Sequence, residues 1–118
     1  MSYLAVFVGG GAGAVLRYLL GRWAVVSGRE VLWATLATNF VACLLLGYLL
    51  YSAGRQADTP ASRLLLATGF CGGFSTFSTF GAEAYALVGD GRAMHAAVYV
   101  VASVVLGLLG VYAGARLG

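Results

Sequence analysis

Residues 69–80 read Gly-Phe-Cys-Gly-Gly-Phe-Ser-Thr-Phe-Ser-Thr-Phe. This stretch contains neither an acid nor a lysine. Any chemistry it performs must use hydroxyls, backbone groups and aromatic rings. Phe77 and Phe80 are three apart and share a helix face. The edge of a phenyl ring is electropositive, so rings presented edge-on favour an anion without a full counter-charge. Ser75, Thr76, Ser78 and Thr79 supply hydroxyls that can donate to the same ion. Asn39, in an apolar stretch of its own, adds an amide donor at similar depth, or else joins helices together, as intramembrane asparagines do. Tyr99 and Ser103 are four apart and extend a polar stripe along another helix.

The glycines of the same stretch carry a second implication. Gly72-Gly73 weakens a helix and invites a break. A break releases carbonyls, which need partners in hydrocarbon. In a two-fold dimer two such breaks could face each other and offer carbonyls to a buried cation. A simple glycine-mediated helix crossing is the competing reading.

The elements that must position these residues are membrane helices. Of 118 residues, 61% are hydrophobic and 9% charged, with a mean hydropathy of +0.91. Soluble domains carry about 25% charged residues. Four spans are expected, over about 3–20, 31–51, 62–88 and 93–115, each near the ~20 residues that cross ~30 Å of hydrocarbon. The whole chain is one transmembrane unit, without linker or soluble domain. No cleavable signal peptide is expected, since a basic n-region is missing and the first apolar run continues into a span. Trp23 and Trp33 bracket the first loop, as interfacial or lipid-facing aromatics do. Cys43 and Cys71 lie within apolar runs and read as small packing residues, not as a disulfide.

The charges bear on orientation and on partners. All seven basic residues are arginines that flank the spans, giving a net charge of +3 that calls for no nucleic acid. Arg55, Arg63 and Arg116 fall on one side of the four spans, and Arg22, Arg29 and Arg92 on the other, with Arg17 near the end of the first span. The positive-inside rule needs an excess, and this balance supplies almost none. The orientation is therefore set by other signals, or the protein inserts both ways and assembles from opposed copies. Four short helices can hardly enclose a polar pathway alone, which favours an oligomer.

Arg17 either draws anions into a vestibule or anchors its helix by snorkelling. Glu83 lies past the phenylalanines, where it is protonated, paired with an arginine, or exposed at the membrane edge. His95 stands alone and reads as interfacial. The chain has no paired carboxylates, metal-ligand spacing or Ser-His-Asp set, so an enzyme is not expected.

The 69–80 motif resembles the signature of the Fluc (CrcB) fluoride channels of bacteria. Two further segments join it: 9–18, Gly-Gly-Gly-Ala-Gly-Ala-Val-Leu-Arg-Tyr, and 35–39, Thr-Leu-Ala-Thr-Asn. The likeness covers the whole chain in length, span count and motif order. Ser75 stands where the family usually has Thr, and Ala34 where Gly usually precedes the Thr. The resemblance implies an all-α membrane protein of four transmembrane helices per subunit, the third broken, paired as an antiparallel dual-topology homodimer. It implies two fluoride pores per dimer and passive export that lowers cytoplasmic fluoride across the inner membrane, giving fluoride resistance. By motif position, a structural sodium ion at the dimer interface would be held by the backbone carbonyls of Gly72 and Ser75. Phe77, Phe80 and Asn39 would line the ion path, with Ser78, Thr79, Tyr99 and Ser103 as the polar track. The alternative, a small proton-coupled multidrug exporter of the same length and topology balance, needs an acid in the first span, and that span has none.

Overall fold

The computed structural model describes residues 2–52 and 58–117, and all of its elements are helices. The loop arginine Arg55 lies outside these residues. Helix α1 spans Ser2–Val26, α2 spans Val31–Tyr51, and the third span runs from Pro60 to Gly89 in two pieces. The first piece, α3, covers 60–74; the second, α4, covers Phe77–Gly89; the last helix, α5, covers Ala93–Arg116. All four spans are long and apolar enough to cross a bilayer, so the chain is a multi-pass membrane protein. The second and fourth match the sequence reading closely.

The first span runs further than the expected 3–20. Nothing in Gly21-Arg22-Trp23 stops a helix, and α1 ends only where Gly28 takes a positive φ of 74°. There Gly28 N–H donates to Val25 O and Arg29 N–H to Ala24 O, the closure that favours glycine after a helix. Gly91, with φ 76°, ends α4 in the same way, its N–H donating to Val88 O and that of Arg92 to Leu87 O. The loops 27–30 and 90–92 meet at one end of the molecule, where Arg92 Nη1 lies 3.2 Å from Glu30 Oε1. This places the first and third loops on the same side, as the span count requires.

Two seams of backbone contact hold the helices together. Along the first, α1 lies against α3: a Cβ on Gly9 would strike Leu65 O and Phe70 N, and one on Gly13 would strike Phe70 O and Phe74 N. Along the second, α2 lies against α5, with Gly47 on Val111 O and Gly114 on Leu44 O and Tyr48 N. Lipid gives apolar side chains no reason to leave it, so close backbone approach is what membrane helices use to bind one another. The buried core is correspondingly small: Leu49, Ala67 and Cys71 form one cluster, and Leu87, Ala96 and Tyr99 the other. Helix α4 packs on α5 and α2.

The third span departs from the expected break. Gly72 and Gly73 remain helical, and the chain turns extended at Ser75 (φ −81°, ψ 158°) and Thr76 (φ −153°, ψ 124°). Gly73 serves packing, since a Cβ there would strike Gly10 O. Upstream of it Leu64–Cys71 is wound as a π-helix, a form found in short pieces near functional sites. Hydroxyl chemistry places the break. Ser75 Oγ donates back to Cys71 O at 2.8 Å, and Thr76 Oγ1 accepts from Thr79 N–H at 3.2 Å as the N-cap of α4.

Candidate ion pathway at the helix break

Breaking a helix inside a bilayer exposes backbone groups that must be satisfied. Asn39 answers for Thr76. Its Oδ1 accepts from Thr76 N–H at 2.8 Å, and its Nδ2 donates to Thr76 O at 3.2 Å. One amide side chain thus stands in for the peptide neighbour that Thr76 lost, and keeps one N–H to spare. Arg17 answers for another group: its Nε donates to Gly73 O at 3.2 Å. Neither reading of Arg17 from sequence included this bond, because the contact joins residues 56 apart along the chain. Among the described residues, no hydrogen bond outside the helices' own ladders ends on the carbonyls of Gly72 or Ser75. Gly72 is exposed, with open space where a Cβ would stand.

Two cavities flank the break. The first, about 260 Å³, is lined by Asn39, Ser75, Phe77, Phe80 and Ser103, with Thr76, Cys43, Val104 and Gly107 completing its wall. The structure therefore brings together four of the residues singled out from sequence as pore candidates: Asn39, Phe77, Phe80 and Ser103. The rings of Phe77 and Phe80 stand 5.7 Å apart and tilted by 53°. Ser103 Oγ is buried and has no hydrogen-bond partner. Tyr99 backs the cavity without lining it, its ring 5.2 Å from that of Phe80. Phe77 is 82% exposed, so the cavity opens at the surface of the chain on that side.

The second cavity, about 230 Å³, lies on the other side of the break, against α1. Arg17, Arg22, Thr35, Thr38, Thr76 and Thr79 supply its polar lining. Thr79, placed on the same track as Phe77 by sequence, faces this second cavity. Ser78 lines neither; it is exposed, with its Oγ 3.4 Å from Thr76 Oγ1. Thr35 and Thr38 are buried here, and sequence reasoning gave them no role of their own. The available signal was their spacing: Thr35, Thr38 and Asn39 at i, i+3 and i+4 put three polar groups on one face of an apolar helix.

Among the described residues Glu83 forms no ion pair with an arginine, and it lines the loop-side cavity together with Glu30, Asp90 and Arg92. Its Oε1 lies 3.5 Å from Tyr99 Oη, and its Oε2 is buried without a partner. His95 sits exposed in the first turn of α5. Among the described residues no cluster of three His, Cys, Asp or Glu side chains is placed to hold a metal.

Comparison with known proteins agrees with this architecture. The family model described as "CrcB-like protein, Camphor Resistance (CrcB)" matches residues 4–115. A protein of Rhodococcus jostii named fluoride-specific ion channel FluC 2 is 47% identical over 117 residues, 99% of this chain and 98% of that one. Fluoride-specific ion channel FluC of Rhizobium etli is 43% identical over 113 residues, 94% of this chain and 90% of its own. The protein of the same name from Phocaeicola vulgatus is 42% identical over 114 residues, covering 96% and 94%. A match of this length, with a capped break in the third of four membrane helices, leaves one assignment: the chain belongs to the CrcB family.

Proposed function

We propose that this protein is a fluoride-selective channel that lets fluoride leave the cytoplasm passively. The observation that carries the reading is the cavity at the break, where the rings of Phe77 and Phe80 and the unpartnered Ser103 hydroxyl converge beside Asn39. Fluoride is small and tightly hydrated. A path that replaces its water must be narrow and rich in donors, and its electropositive ring edges must carry no charge that would trap the ion. The spare N–H of Asn39 and the hydroxyl of Ser103 are such donors, and Thr79 continues the supply on the far side of Thr76. Arg17 raises the local anion concentration in the vestibule that it shares with Arg22. The exporter alternative draws no support, because α1 carries no acid to couple protons.

The working unit in this reading is an antiparallel homodimer with two pores. An exposed Phe77 and a cavity open on that side fit a second copy, and the near-equal split of arginines permits opposed insertion. The carbonyls of Gly72 and Ser75 fit a structural sodium ion at the two-fold axis: among the described residues they accept no hydrogen bond outside the helices' own ladders, and Gly72 has open space where a Cβ would stand. A bound alkali ion would supply positive charge to the carbonyls that the break releases. Within the chain, Asn39 and Arg17 already hold the neighbouring groups, which keeps the Gly72 and Ser75 oxygens in place.

Anion efflux from liposomes containing the purified protein tests the function. Fluoride is expected to leave rapidly and chloride to stay. Equal passage of both, or of neither, overturns the reading. Phe80→Ile removes the ring edge while keeping an apolar side chain, and the expected result is a fall in fluoride flux of at least about tenfold in protein that still elutes as the wild type does. Unchanged flux would remove the rings from the mechanism.

A further inference from the structure

Two neighbouring cavities, which share Val31, differ in the charge of their walls. Beside the break the wall holds Arg17 and Arg22 together with threonine hydroxyls, and no carboxyl group. Toward the loops the wall of the other holds Glu30, Glu83 and Asp90, with Arg92 as its one basic residue. The two cavities follow one another on the same helix faces: Glu83 is four residues beyond Thr79 on α4, and Val31, four before Thr35 on α2, lines both. An anion moving from the hydroxyl-lined cavity toward the first and third loops therefore passes three carboxyl groups. Arg92, whose Nη1 lies 3.2 Å from Glu30 Oε1, stands at that passage.

We propose that Arg92 is a rate-setting residue of the channel, cancelling the charge of Glu30 so that fluoride can cross the acidic mouth. The inference rests on the fluoride-channel reading above. Both partners are substantially exposed, with the Arg92 and Glu30 side chains at 39% and 50%. An ion pair that wet contributes little to holding loops together. The field in a cleft with low-dielectric walls is another matter, since unbalanced charge there changes ion entry and exit by factors of ten or more. Arg92 thus matters for the charge it places at the mouth far more than for the bond it makes.

The two roles separate by experiment. Fluoride efflux is measured from liposomes containing wild type, R92A, R92K, E30Q and the E30Q/R92A double variant, each confirmed to elute as wild type does. In the charge role, R92A lowers flux by roughly tenfold at about 10 mM salt, where the Debye length is ~30 Å, and the deficit shrinks when an impermeant salt is raised to about 1 M, where it is ~3 Å. R92K conducts like wild type, E30Q conducts at least as well as wild type, and the double variant recovers most of what R92A lost. If E30Q and R92A are equally impaired and the double variant recovers nothing, the bond itself matters and the proposal is overturned. A conducting wild type with R92A equal to it at low salt also overturns this inference alone. A wild type that passes no fluoride overturns the channel reading and this inference with it.

Discussion

Before the break, α3 lies on α1 backbone to backbone: Gly13 fits against Phe70 O and Phe74 N, and Gly73 against Gly10 O. After it, α4 carries Gly81 and Gly89 with nothing within 4 Å of where a Cβ would stand. Its place is set instead by the Thr76 cap, by the Asn39 clip and by Phe80 resting on Tyr99. One half of the span is thus fixed by the absence of side chains and the other by side-chain contacts, among them the packing of Leu87 on Ala96 and Tyr99. The division has a physical reason. A seam of peptide backbone is close and rigid but leaves no side chain to meet an ion. A helix held from one end and one face keeps its remaining side chains available for that ion.

Substitutions can test this division. The largest effect is expected at Gly13→Val, whose side chain has to enter space held by Phe70 O and Phe74 N. Overpacking at one such site costs about 1–3 kcal/mol where side chains can yield, and backbone yields less. Size-exclusion chromatography should show loss of folded protein, while Gly81→Ala in the other half elutes as the wild type does. A well-behaved Gly13→Val protein would mean that the seam does not hold α3.

Asn39→Ala comes next. It leaves the N–H and the carbonyl of Thr76 without their partner, at about 1–3 kcal/mol for each unsatisfied group. Thermal unfolding in detergent should fall and fluoride flux with it. Asn39→Asp keeps an acceptor for Thr76 N–H but cannot donate to Thr76 O when ionised, so it should lie between the two. If Asn39→Ala unfolds as the wild type does and loses only flux, then Asn39 acts on the ion and not on the break.

Ser75→Thr should do least. A threonine hydroxyl can make the same bond to Cys71 O, and the Ser75 carbonyl is unaltered, so stability should stay within about 0.5 kcal/mol and flux within about twofold. A larger change in either would show that the side chain at 75, and not its backbone, matters where the chain turns extended.

Much of this was legible in the chain itself. Hydrophobic runs of about twenty residues between Gly- and Arg-bearing loops gave the number of spans and nearly all their limits, because a bilayer demands length and apolarity and little else. The hydroxyl-rich motif pointed to a broken third helix and to the neighbourhood of Phe77 and Phe80. It placed the break over Gly72 through Ser75, whereas the chain opens only at Ser75 and Thr76. Gly72-Gly73 carries the obvious signal, yet glycine permits a helix as well as a break, and here its lack of a side chain serves the α1 seam. The motif did not show that Thr79 and Phe80, adjacent in sequence, face different cavities.

Composition, span length and motif therefore determined the class of protein, its four crossings and the chemical groups available to an anion. They are properties of segments, and a membrane reads segments one at a time. Tertiary structure alone decided where the helix opens and which groups close the gap. Asn39 meets Thr76 across 37 residues, and Arg17 meets Gly73 across 56. No local pattern specifies such pairs, because each depends on how two separately stable helices come to rest against each other.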